Sequence, residues 1–230
     1  MLLMGLQKLT LLDFPGKIAC TVFTGGCDFR CPFCHNASLV RLHADAPRLP
    51  EEEFFKFLNM RKGVLQGVCI TGGAPTLQPD LADFIKKIRE LGFKVKLDTN
   101  GNNPEVLKSL VSEGLIDYVA MDIKNSPESY GRTVGIENFD LSNVTSSVEF
   151  LLGDNVDYEF RTTLVRQLHT ESDIKSIGEW IKGAKHYYLQ AFIDSGDLLS
   201  DNLDGFTKDE TENLLNLLKP CIKSAEIRGF

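Results

Sequence analysis

Apolar, β-branched runs alternate with amphipathic helical stretches along almost the whole of this 230-residue chain. That alternation restricts the fold more than any single residue does. Extended runs are expected at 17–23, 67–71, 94–98, 118–123, 158–164 and 187–192, with a weaker one at 225–228. Helical periodicity falls between them, at 51–62, 79–91, 104–113, 143–152, 171–182 and 208–218. The second of these is typical: Leu81, Phe84, Ile85, Ile88 and Leu91 make one apolar stripe, with charges on the opposite side. Pro79 suits its first turn and Gly92 the position just past its end. Strand–helix alternation implies a mostly parallel α/β sheet whose functional groups gather at the carboxyl ends of the strands. Six repeats fall short of the eight in a closed barrel. The expectation is an open or partial barrel with outer helices, with a doubly wound sheet as the alternative. No linker or internal repeat interrupts the pattern, so residues 1–230 read as a single domain.

Composition narrows the partners. A hydrophobic share of 43% with 25% charged residues is ordinary for a globular chain. The net charge of −7 repels a phosphate backbone and argues against nucleic acid as the main partner. No run approaches the roughly 20 apolar residues that span a bilayer, so no membrane is expected. The opening MLLMGLQKLTLLDFPG lacks a basic stretch and meets Lys8 and Asp13 too early for a secretory signal. The expected compartment is therefore the cytoplasm, where clustered thiols mean metal or redox chemistry.

Such a cluster is present. Cys27, Cys31 and Cys34 fall within eight positions, in Cys27-Asp-Phe-Arg-Cys31-Pro-Phe-Cys34-His35-Asn36, whereas Cys20, Cys69 and Cys221 are scattered. Two readings of the metal stay open from the residues themselves. Structural zinc wants a fourth ligand, which His35, Cys20 or Cys69 would have to supply at unusual spacing. An iron–sulfur cube held by three cysteines leaves one iron free for an outside ligand. The aromatic Phe33 just before the last cysteine adds to the specificity of the pattern.

At these residues the chain resembles the radical S-adenosylmethionine (SAM) enzymes. The resemblance sharpens to the activases of glycyl radical enzymes through Cys34-His35-Asn36, Asp98-Thr99-Asn100-Gly101 and Asp122-Ile123-Lys124. The opening LQKLTLLDFPGKIA and the following FTGGCDFRCPFCHNASLV are most similar to activating proteins of anaerobic ribonucleoside-triphosphate reductase. The similarity runs over residues 6–192. It implies a partial (β/α)6 barrel, a 4Fe-4S cluster on Cys27, Cys31 and Cys34, and SAM chelated to the open iron. It also implies reductive SAM cleavage, a glycyl radical enzyme as partner, and flavodoxin or ferredoxin as electron donor. Pyruvate formate-lyase activases share two of the three motifs. An iron–sulfur or zinc-binding interaction module is the alternative outside enzyme chemistry.

The resemblance assigns further residues. Gly72-Gly73-Ala74-Pro75 stands where the family has Gly-Gly-Glu-Pro, whose glutamate contacts the SAM amino group. Glycines there suggest a ligand approaching backbone N–H groups. Ala74 removes one charge-assisted hydrogen bond, worth roughly 1.5–3 kcal/mol or about 10- to 150-fold in affinity, so weakened SAM binding is expected. Asp98 and Thr99 are implied near the SAM carboxylate, in some members beside a monovalent cation. Asp98 also suits a turn cap, and Asn100-Gly101 a turn. Lys124 is implied at the SAM carboxylate and Asp122 near the substrate channel; an ion pair between them is the plain reading. Arg161 interrupts an apolar strand and needs an anion, either a ligand's or that of Glu159 or Asp122. Thr163 and Gln190 are carried over as SAM contacts, and Phe33 as a platform for adenine. His35 is expected to orient the cysteine loop or approach a target peptide. Asp13 matches a position near the target loop, with a turn before Pro15 as the alternative. His43, His169 and His186 show no ligand spacing and are expected on the surface.

Overall fold

The structure is a computed structural model describing residues 1–43 and 45–230. Its elements follow the chain as β1 (Leu3–Thr10), β2 (Ala19–Thr24), α1 (Ala37–Val40), α2 (Glu51–Met60), β3 (Gly67–Gly72), α3 (Leu81–Glu90), β4 (Lys94–Thr99), α4 (Pro104–Ser112) and β5 (Tyr118–Asp122). Then come α5 (Tyr130–Val134), α6 (Ser142–Leu152), β6 (Asp157–Leu164), α7 (Glu171–Trp180), β7 (Tyr187–Ala191), α8 (Lys208–Leu218) and β8 (Ala225–Arg228). The strands form one open sheet in the order β1-β2-β3-β4-β5-β6-β7-β8, the open α/β architecture expected from the alternation. By internal contacts the chain forms two compact units: Met1–Asp28, Ser38–Thr99 and Asn103–Val119 in one, Phe29–Ala37, Asn100–Asn102 and Ala120–Phe230 in the other.

In the first unit β1 lies antiparallel to β2, with register shifts between Leu3 and Gly5 and between Gln7 and Thr10. Sequence periodicity did not anticipate this strand. Its side chains do not alternate cleanly between buried and exposed, and an edge strand with register shifts carries little period-2 signal. β2, β3 and β4 run parallel, with Thr21 opposite Cys69 and Cys69 opposite Lys96. The expected run at 17–23 starts later, at Ala19, and ends at Thr24. α3 buries Leu81, Phe84, Ile85 and Ile88, each worth roughly 1.5–3 kcal/mol out of water. Phe84 packs on Phe54 and Phe55 of α2, with ring centroids 5.3 and 5.4 Å away. Gly92 ends the helix in the left-handed region, at φ 92°.

In the second unit β6, β7 and β8 run parallel, with Thr163 opposite Gln190. α7 and α8 both begin with a capping box, Thr170 with Asp173 and Thr207 with Glu210. The five-residue α5 was not visible in the sequence, being too short to show a helical period. Arg228 of β8 makes a bidentate pair, 2.8 and 3.0 Å, with the buried Glu159 of β6. Among the described residues no helix is long and apolar enough to cross a membrane.

Candidate active site

The cysteine loop starts where β2 ends, and its backbone is tied down on all sides. In the first unit Gly25 N–H donates to Leu2 O at 3.0 Å and Gly26 N–H to Leu39 O at 2.8 Å. In the second unit Arg30 N–H donates to Val134 O at 2.8 Å, and Ser200 N–H donates to Pro32 O at 3.0 Å. Cys34 N–H donates to Cys31 O at 3.1 Å, closing a turn that carries both thiols. None of the three cysteines is in a disulfide; Cys31 is buried, and Cys27 and Cys34 are half-buried. Phe33 is buried, with the Lys124 ammonium 5.9 Å from its ring centroid. His35 is exposed but stacks on Phe192 at 5.4 Å; partial desolvation there, then the nearby Lys124 charge, lowers its pKa.

Three thiols on one anchored loop are the donor chemistry that iron–sulfur clusters use. Among the described residues no three His, Cys, Asp or Glu side chains stand together as a ligand set for one ion. In a four-iron cube each thiolate takes a different iron, so its ligands need not crowd as those of a single ion do.

The glycines at the end of β3 allow a close backbone approach. A Cβ on Gly73 would lie 1.9 Å from Gly26 O, and one on Gly72 would lie 2.4 Å from Thr24 N. Gly73 N–H donates to Thr24 O at 2.9 Å, and Ala74 N–H to Gly26 O at 2.7 Å. The Gly73 and Ala74 N–H groups thus tie the turn to the stem of the cysteine loop. Ala74 is 1% exposed, ahead of a single 3-10 turn at Pro75–Leu77.

At the end of β4, Lys96 and Asp98 are two apart and share one face. Their side chains form an ion pair, with Lys96 only 1% exposed. Cys69 Sγ lies 3.7 Å from Lys96 Nζ and 3.6 Å from Asp98 Oδ1. Thr99 is buried beside them in sequence. Asn100 and Gly101 do form the expected turn: Asn100 Oδ1 accepts from Asn102 N–H at 3.1 Å, and Gly101 sits at φ 79°. Gly101 O accepts from Ser147 Oγ at 2.7 Å.

At the end of β5, Asp122 accepts from two cations: Lys124 Nζ at 2.9 Å and Arg161 Nε at 2.9 Å. Burial opposes its charged form, yet the Arg161 and Lys124 charges hold the Asp122 carboxyl well below the usual carboxylate range. Lys124 is pushed upward, since the Asp122 attraction overcomes desolvation. Of the partners weighed for Arg161, Asp122 accepts from its Nε, and Glu159 accepts from Arg228. Thr163 lies two residues beyond Arg161 on β6 and opposite Gln190, so all three share one face of the sheet. Lys124, Arg161 and Asp122 together carry one net positive charge.

Sequence reasoning missed the support behind Lys124. His169, expected on the surface, is 2% exposed: Val165 N–H donates to Nδ1 at 3.1 Å, and Nε2–H donates to Lys124 O at 2.9 Å. Burial lowers its pKa, consistent with that neutral tautomer. No spacing signal marked it. His43 and His186 are exposed as expected. Asp13 accepts from Thr21 Oγ1 at 2.5 Å, in a turn where Thr10 Oγ1 accepts from the N–H groups of Leu12 and Asp13.

The segment after Lys124 is fastened by Asp173, which accepts from Ser126 Oγ at 2.7 Å, Ser129 Oγ at 2.8 Å and Thr170 Oγ1 at 2.7 Å. Burial alone would raise its pKa, but the Thr170, Ser126 and Ser129 hydrogen bonds bring it down to about 2. A depressed carboxyl contributes stability above its unfolded value, near 3.9, and loses it as pH falls through the folded value. Urea midpoints should therefore drop between about pH 4 and pH 2, and the Asp173→Asn variant should lose part of that slope. An unchanged slope would remove Asp173 from the acid response.

The family model described as the radical SAM superfamily matches residues 21–218, and the chain belongs to that superfamily. It is 33% identical over 233 residues to a protein of Methanocaldococcus jannaschii named as a glycyl-radical enzyme activating enzyme, covering 99% of this chain and 95% of that one. Within the superfamily it is a member of these glycyl-radical enzyme activating enzymes. A pyruvate formate-lyase-activating enzyme of Clostridium pasteurianum is 35% identical over 130 residues, covering 53% of this chain and 51% of that one. A domain of such an enzyme from Bacteroides vulgatus superposes with a TM-score of 0.58 at 17% identity, covering 71% of this chain and 99% of the domain. SuiB of Streptococcus suis bound to S-adenosylmethionine superposes at 0.69 and 13% identity, covering 88% of this chain and 48% of SuiB, so these two show the fold alone.

Proposed function

We propose that this chain installs a glycyl radical on an anaerobic ribonucleoside-triphosphate reductase in the cytoplasm, with flavodoxin or ferredoxin as electron donor. The observation that carries the site assignment is Lys124, held by Asp122 at 2.9 Å with its ammonium 5.9 Å from the Phe33 ring of the cysteine loop, where it can meet a ligand carboxylate. A 4Fe-4S cluster and SAM bound here would supply the reductive radical chemistry that removes a hydrogen atom from the Cα of the target glycine. Cys27, Cys31 and Cys34 would hold the cluster. Lys124 would meet the SAM carboxylate, while Asp122 and Arg161 fix the position of its ammonium. His169 would keep the Lys124 backbone from shifting. Thr163 and Gln190 would contact SAM on the face they share with Arg161, and Phe33 would supply an apolar surface for adenine. Asp98 and Thr99 would complete the polar contacts, with Gly72, Gly73 and Ala74 shaping the neighbouring turn. One family model spanning residues 21–218 supports reading residues 1–230 as a single working domain. The motif resemblance supports the reductase as partner, and the identity to a pyruvate formate-lyase-activating enzyme supports that lyase as the second reading.

Electron paramagnetic resonance on the anaerobically reconstituted, reduced protein tests the site. A cluster signal that changes on adding SAM is the expected result; no cluster signal would overturn the reading. The Ala74→Glu variant should bind SAM about 10- to 150-fold more tightly. Its ligand-free form should be less stable, because the new carboxylate enters a position that is 1% exposed. Deuterium placed on the target glycine should appear in 5′-deoxyadenosine with the reductase. Transfer only from the lyase would reassign the partner.

A further inference from the structure

We propose that the Lys96 ammonium serves Asp98 as a built-in cation, so that the carboxylate takes no potassium or sodium ion. The proposal rests on Asp98 belonging to the site described above. Lys96 is not part of any motif, yet it is 1% exposed and ion-paired with Asp98 on the same face of β4. A buried ammonium is stable only beside an anion, and the half-buried Asp98 carboxylate supplies it. The pair is held from the side as well. Cys69, opposite Lys96 in the β3–β4 register, places its sulfur 3.7 Å from Nζ and 3.6 Å from Asp98 Oδ1. A metal ion bound at Asp98 would have to displace the ammonium or sit against it, and like charges at contact distance repel strongly in a buried setting. Lys96 is thus a positioning residue: it fixes the charge and the direction of Asp98 without touching a ligand.

Cation binding to the full ligand-free chain tests this independently of iron and SAM, so loss of the radical SAM assignment would be seen separately, in the resonance experiment. Melting temperatures are compared in potassium, sodium and tetramethylammonium chloride at equal ionic strength, with thallium-205 resonance as a direct probe. The wild-type chain should show no ion-specific shift and no thallium broadening. The Lys96→Met variant should gain a potassium- or sodium-specific rise of roughly 3–6 °C at ten times the dissociation constant. Lys96→Gln should give the same gain and replaces the methionine variant if that one does not fold. A saturable potassium or sodium shift in the wild-type chain would overturn the proposal. So would folded, uncharged variants that remain indifferent to all three salts.

Discussion

Alanine at Cys27, Cys31 or Cys34 should lower the iron content of the reconstituted chain by at least about tenfold, since loss of a direct ligand exceeds the 10- to 100-fold effect of losing a supporting contact. The other cysteines supply the contrast. Burial pushes the Cys20 thiol up to about 12, so it stays protonated and is a poor ligand. Cys221 is held above its usual value by its hydrogen bond to Glu179, then by burial. Cys20→Ala and Cys221→Ala should therefore keep full iron. Iron and sulfide analysis after anaerobic reconstitution decides the matter. A full count in a folded Cys31→Ala variant would remove that residue from the ligand set. Equal losses in all five variants would mean that the effect is on folding.

The second large effect is expected at Gly73. An alanine there would set its Cβ 1.9 Å from the carbonyl oxygen of Gly26, an overlap of backbone on side chain that no rotamer relieves. Such overpacking costs typically about 1–3 kcal/mol, and the rigid partner places this case at the upper end. For a chain of this size the melting temperature should fall by roughly 6–12 °C. Gly5→Ala is the control, because its Cβ would meet only the Phe23 ring at 3.8 Å. If the two variants melt alike, the close approach is not what requires glycine at 73. Cluster content should fall with Gly73→Ala as well, since the displaced carbonyl belongs to the residue before Cys27.

The sequence made the repeating architecture legible because strand and helix periods differ. It also placed Asp122, Lys124 and Arg161 near one another as chemically complementary groups. Less legible were features set by tertiary coverage. Lys94 and Lys96 look identical in a strand pattern and lie on one face, yet Lys94 at the strand start is exposed and pairs with Asp117, whereas Lys96 is buried and pairs with Asp98. His169 shows no motif, since its role is to hydrogen-bond backbone atoms brought to it by the fold. The glycine turn was recognised, but not the backbone packed against it: a Gly-Gly pair reads the same whether a ligand or another stretch of backbone comes close. β1 was missed because Gly5 and two register shifts erase its alternation.

The contact between Gly73 and Gly26 also bears on how portable the cysteine loop is. Thr24 and Gly26 accept from Gly73 and Ala74, so the loop stem and the turn after β3 are two halves of one joint. A cysteine loop transplanted onto another parallel sheet without its Gly72–Gly73 counterpart would lose the surface against which its first residues are set. Lineages that altered one half would have needed a matching change in the other, and insertions should accumulate on either side of this joint rather than within it.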